Sequence, residues 1–107
     1  MSILKSIPLL SHLDSGNFFL LAGPCVVESE EITFQTAERI KQIADKYKVP
    51  FIFKASYKKA NRSKLDSFSG IGDIKALKIL AEVKKRYQLP LVTDIHTIEE
   101  ANLAAEY

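Results

Sequence analysis

Phe18-Phe19-Leu20-Leu21-Ala22-Gly23-Pro24 is the stretch on which the fold turns. Its apolar residues run without alternation and stop at a Gly-Pro pair. Unbroken apolar runs of this length mark strands buried on both faces, as parallel sheets require. Asp14-Ser15-Gly16-Asn17, just ahead, is a turn signal. Two later runs repeat the pattern. Phe51-Ile52-Phe53 follows Pro50 and ends at Lys54, and Leu91-Val92 follows Pro90 and leads into Thr93-Asp94-Ile95-His96. The three runs start 33 and 40 residues apart, about one βαβ unit each.

Helical patterns fill the intervals. Ser29 starts the first, with Glu30 and Glu31 suited to its dipole and Ala37, Ile40, Ala44 and Tyr47 forming one apolar stripe. Asp73 is placed to cap the second, with Ile74, Leu77, Leu80, Ala81 and Tyr87 facing inward. Thr97 and Glu100 form a capping box for a third, carrying Ala101, Leu103 and Ala104. A polar loop spans roughly residues 56–72. The architecture repeats, but no sequence repeat and no low-complexity linker accompany it. Strand–helix alternation with apolar strands predicts an α/β protein on a parallel sheet, its crossover helices on one face.

Composition narrows the classes. The chain has 107 residues, 47% hydrophobic and 26% charged, with a net charge of +2. That suits one globular domain and excludes collagen, a disordered tail and a disulfide scaffold. One cysteine forms no internal disulfide, which points to a reducing compartment, and a cytoplasmic location is expected. The longest apolar run, Phe18 to Gly23, is far below the ~20 residues of a membrane helix, and Met1 to Leu13 does not read as an export signal. Lys54, Lys58, Lys59, Arg62 and Lys64 put five positive charges into eleven residues, so the remainder carries −3. One concentrated basic segment suggests a local anion site, not a nucleic-acid face.

Polar residues cluster after each strand: Cys25 and Glu28, then Lys54, Ser56 and Lys59, then Asp94 and His96. In parallel α/β folds these ends share one rim, where ligands bind. The segment Phe53 to Ser63 mixes Lys, Arg, Ser and Asn, the chemistry of phosphate and carboxylate binding. The competing reading is a solvated charge run, and a weaker one lets Tyr57 stack a nucleic-acid base. Gly70-Ile71-Gly72 lacks the third glycine of a dinucleotide fingerprint and reads as a turn. Cys25 alone reads as a small buried hydrophobe or a soft metal ligand. His96 alone reads as a hydrogen-bonded structural residue.

Leu21-Ala22-Gly23-Pro24-Cys25-Val26-Val27-Glu28-Ser29, the Phe53 to Ser63 segment, Ser67-Phe68, Gly70, Gly72 and Leu91 to His96 together resemble the 3-deoxy-D-manno-octulosonate 8-phosphate synthases. The likeness runs from about Phe18 to Tyr107. Lys59-Ala60-Asn61-Arg62-Ser63 is its most specific piece. The related 3-deoxy-D-arabino-heptulosonate 7-phosphate synthases typically carry Lys-Pro-Arg-Thr there.

The resemblance implies the first three βα units of a (β/α)₈ barrel in residues 18–107, with residues 1–17 a separate segment expected to form a capping hairpin. It implies condensation of phosphoenolpyruvate with D-arabinose 5-phosphate, a step of lipopolysaccharide precursor synthesis. By position, Lys54 and Lys59 hold phosphoenolpyruvate. Asn61 contacts the aldose, and Arg62 and Ser63 bind its phosphate across a boundary of a homotetramer. Asp94 sits beside the reacting carbons, and Lys59, Asn61 and Asp94 form the catalytic set. Cys25 marks the metal-dependent branch, with Zn or Fe(II) favoured and the other ligands expected beyond residue 107. No nucleic acid or membrane partner is implied. Ser69 and Ile71 depart from the family's Arg and Pro, and Lys58 from its Asp. A barrel takes about 250 residues, so the isolated chain is expected to be inactive and poorly folded. The alternative is a non-catalytic anion-binding α/β module derived from the synthase.

Overall fold

The computed structural model describes residues 2–58 and 72–107. Lys59, Asn61, Arg62, Ser63 and Gly70 lie outside the described residues. Three strands form one parallel sheet in the order β1 (Leu20–Ala22), β2 (Phe51–Lys54), β3 (Leu91–Val92). Leu20 pairs with Phe51 and Ala22 with Phe53, while Phe53 also pairs with Leu91 and Lys54 with Val92. Four helices accompany them among the described residues: α1 (Ser2–Lys5), α2 (Glu30–Tyr47), α3 (Asp73–Tyr87) and α4 (Ile98–Ala104). The parallel α/β architecture is the expected one.

α2 and α3 pack side by side over the face that carries Phe51 and Phe53. Ala37, Ala44, Ala76, Leu77, Leu80 and Val83 share one buried cluster with those two rings, which stand edge to face with centroids 6.3 Å apart. Alanines at the contact let the helices approach the sheet closely while the phenylalanines fill the space between. Arg86 of α3 adds a cation–π contact, 4.2 Å over the ring of Phe34 on α2.

Only β2 is buried on both faces. In β1 Leu21 is 46% exposed, and Phe18 and Phe19 lie outside the strand at 74% and 45%. Among the described residues β1 pairs with β2 alone, so an apolar run did not guarantee burial. Tyr47, the last residue of α2, is likewise exposed, and Thr33 takes a buried place that the sequence left unassigned. In α3 the buried set is Ala76, Leu77, Ile79, Leu80 and Val83, while Ile74 turns outward.

Caps explain the helix starts. Ser29 accepts the amide of Ile32, and Thr97 accepts that of Glu100. Asp73 is not a cap but the first residue of α3. Gly72 stands at the cap with φ 110°, a backbone angle that favours glycine. The two helix-to-strand joints share one design. Lys48 and Gln88 end α2 and α3 in the left-handed region, then Val49-Pro50 and Leu89-Pro90 lead into strands. The Pro50 carbonyl accepts the Leu20 amide at 2.8 Å, and the Pro90 carbonyl accepts that of Phe53 at 2.9 Å. Here a short sequence repeat does exist: Lys46-Tyr47-Lys48-Val49-Pro50-Phe51-Ile52 matches Arg86-Tyr87-Gln88-Leu89-Pro90-Leu91-Val92 in kind, forty residues on.

Residues 2–19 contain α1 and turns and, among the described residues, no strand, so the expected hairpin is replaced by a strap. The strap lies near the strand entries, where Leu9 and His12 border Val49, Phe51 and Leu89. His12 Nε2 and Lys41 Nζ each sit 2.8 Å from the Asp45 carboxylate, which is held below its usual pKa, chiefly by Lys41. The Asn17 side-chain Nδ2 donates to the carbonyls of Tyr47 and Lys48, closing the end of α2.

Candidate active site

The rim at the strand exits is built on Ser56. Gly23, directly after β1, lies so near β2 that a Cβ there would collide with the Lys54 carbonyl. This approach lets the chain after β1 run beside the chain after β2. The Ser56 amide donates to the Cys25 carbonyl at 3.2 Å, and the Val27 amide to the Ser56 carbonyl at 2.9 Å. Ser56 then crosses to the third exit, its Oγ donating to Asp94 Oδ1 at 2.5 Å. One serine thereby ties together the turns that carry Cys25, Lys54 and Asp94.

The Asp94 carboxyl is held below its usual pKa, first by the Ser56 hydroxyl and then by its own backbone amide and the charges of Lys54 and His96, against partial desolvation. It is an ionised acceptor at neutral pH. His96 Nε2 lies 3.4 Å from its other oxygen. Lys54 and Cys25 are exposed. An accessible thiol, an accessible ammonium and an oriented carboxylate thus share one edge, a set able to hold phosphorylated anions and to orient a hydroxyl. Cys25 offers one soft donor, but among the described residues no three His, Cys, Asp or Glu converge as a metal cage.

The sequence brought Cys25, Lys54 and Asp94 to this rim correctly, and noted Ser56 without seeing its linking role. Only a shared rim could reveal that bond, which spans 38 residues. Tyr57 cannot stack a base. It is 1% exposed, and burial raises its pKa. Its hydroxyl and Thr93 Oγ1 are buried without hydrogen-bond partners among the described residues. Lys58 is paired, its Nζ 2.5 Å from Glu100 and 4.0 Å from Asp73. The Glu100 carboxylate also accepts the amide of His96 at 2.7 Å, one residue earlier than a capping box would have it.

The family model described as DAHP synthetase I matches residues 13–107. The chain belongs to the DAHP synthetase I family. Curated relatives carry the name 2-dehydro-3-deoxyphosphooctonate aldolase. The chain is 54% identical to the protein of Burkholderia cenocepacia over 88 residues, 82% of this chain and 31% of that one. It is 55% identical to the protein of Polaromonas sp. over 87 residues, 81% of this chain and 30% of the other. The chain thus spans about a third of the length of these curated relatives. No helix among the described residues is long and apolar enough to cross a membrane.

Proposed function

We propose that this chain supplies the first three βα units of a (β/α)₈ barrel that condenses phosphoenolpyruvate with D-arabinose 5-phosphate, giving 3-deoxy-D-manno-octulosonate 8-phosphate and inorganic phosphate. The observation that carries the reading is the rim on which Cys25, Lys54 and Asp94 meet, in a chain 54% identical to proteins of the aldolase name. Three parallel strands with helices over one face suit a barrel segment.

In this reading Lys54 and Lys59 hold the phosphate and carboxylate of phosphoenolpyruvate, offsetting its repulsion from the second anion. Arg62 and Ser63 bind the aldose phosphate, across a subunit boundary of a homotetramer, and Asn61 contacts the aldose. C3 of phosphoenolpyruvate attacks the aldehyde carbon, and water adds at C2. Ionised Asp94, fixed by Ser56, accepts a hydrogen bond from an aldose hydroxyl and sets the face presented to C3. Cys25 would be one ligand of a divalent metal, Zn or Fe(II) suiting a thiolate, which would position the water or polarise the aldehyde. The work is cytoplasmic and serves lipopolysaccharide precursor synthesis.

A chimera tests the reading. The matched stretch of the Burkholderia cenocepacia protein is replaced by this chain's residues, and phosphate release is assayed. Turnover with arabinose 5-phosphate is expected. Turnover only with a four-carbon aldose phosphate would move the assignment to the seven-carbon product, and binding of phosphoenolpyruvate without turnover would favour the non-catalytic module.

A further inference from the structure

Lys58 departs from the aspartate that the resemblance implies at this position, which would reverse the charge there. Its ammonium lies 2.5 Å from Glu100 Oε2 and 4.0 Å from Asp73. An aspartate in the same place would face two carboxylates. Glu100 lies at the first turn of α4 with only 11% of its side chain exposed, and its second oxygen accepts the His96 amide at 2.7 Å. The ring of His96 lies 3.4 Å from Asp94. A chain of contacts therefore runs from Lys58 through Glu100 and His96 to the carboxylate that Ser56 holds from the other side.

We propose that Lys58 and Glu100 form a positioning pair, in which the ammonium orients the Glu100 carboxylate so that it fixes the His96 backbone and the turn presenting Asp94. The role assigned to that turn rests on the proposed condensation. Neither residue touches the reacting atoms. The directions of the shifts agree: Glu100 chiefly raises the pKa of Lys58, and Lys58 first, then the His96 amide, lowers that of Glu100. Glu100 therefore performs two tasks with its two oxygens, and a lysine in its place could pair with an acid at position 58 but could not accept the His96 amide.

The test follows amide exchange by mass spectrometry with residue-level fragmentation on the full chain, dilute enough to limit self-association, with amides of the α3 core, such as Val83, as the stability control. In Lys58→Met the His96 amide should exchange about tenfold faster while the control amides stay put, as expected for a local opening. Lys58→Arg should restore protection. The double variant Lys58→Glu with Glu100→Lys rebuilds the ion pair but removes the acceptor, so His96 should stay unprotected. Should Lys58→Met fail to fold, Glu100→Gln keeps an acceptor but loses the charge, and should give a smaller acceleration. Unchanged His96 exchange in the first variant to fold, or recovered protection in the charge swap, would overturn the pair. None of these readouts needs turnover, so loss of the functional reading would leave them standing, and their failure would leave that reading intact.

Discussion

Ser56 carries more of the rim than its small side chain suggests. Its hydroxyl is the largest cause of the lowered Asp94 pKa. A carboxyl whose folded pKa is depressed adds stability above its ordinary value, near 3.8, and loses it as pH falls through the folded value. Ser56→Ala should therefore cost stability at pH 7, by about 0.5–1 kcal/mol given the exposure of Asp94. The deficit should shrink toward pH 3 in urea titrations. A constant deficit across that range would mean the loss is not in the carboxylate bond. Arg62 lies outside the described residues, and its role comes from the Lys-Ala-Asn-Arg-Ser match. In a barrel-length chimera Arg62→Ala should weaken arabinose 5-phosphate binding by roughly 1.5–3 kcal/mol and phosphoenolpyruvate far less. Equal losses in calorimetric titrations would contradict that division. Residue types told which side chains reach the rim, because polar groups after apolar strands leave few alternatives. They did not tell that Ser56 reaches Asp94 or that Lys58 reaches Glu100, since neither partner is local.

At the level of elements, β1 and β2 depend on a contact that only glycine permits. Gly23→Ala would push a methyl group into the Lys54 carbonyl, which is backbone and cannot rotate away. The strands would have to separate after Ala22, at a cost of about 1–3 kcal/mol. Thermal unfolding should show the loss, and amide exchange at Val27 should rise with it, because its bond to Ser56 begins just beyond. Unaltered stability would mean that the turn has slack. Existence and order of strands and helices were legible from apolar runs and three-to-four spacing. The inner faces were less so. Tyr47 and Ile74 have the right spacing yet are exposed, while Tyr87, in the equivalent place on α3, packs against the core.

For the molecule as a whole, cover is the missing quantity. β1 and β3 each have one partner among the described residues, and Phe18, Phe19, Leu21, Ile95 and Ile98 are exposed apolar side chains. Free edges and apolar surface of this kind favour self-association. The isolated chain should elute from size exclusion as larger species as its concentration rises, and Leu21→Lys should shift it toward monomer. It should not turn over the two substrates alone. A monomer that melts sharply at every concentration and catalyses the condensation would overturn both expectations. The count of three βα units in the sequence already implied open edges and an uncovered face; which side chains lie bare was not legible, because a run of apolar residues states what a strand tolerates on each face, not what lies against it.

The two prolines that open β2 and β3 point to how such a chain is assembled. Each follows a left-handed Lys48 or Gln88 and an aliphatic residue, and each gives its carbonyl to the strand before it. The same connector serves twice, with the same tyrosine ahead of it. A helix with its connector and strand is thus an interchangeable block, and a gene could lengthen the sheet by copying that block without designing a new junction. Transplanting Tyr47–Pro50 into the place of Tyr87–Pro90 should accordingly leave the pairing of Phe53 with Leu91 unchanged.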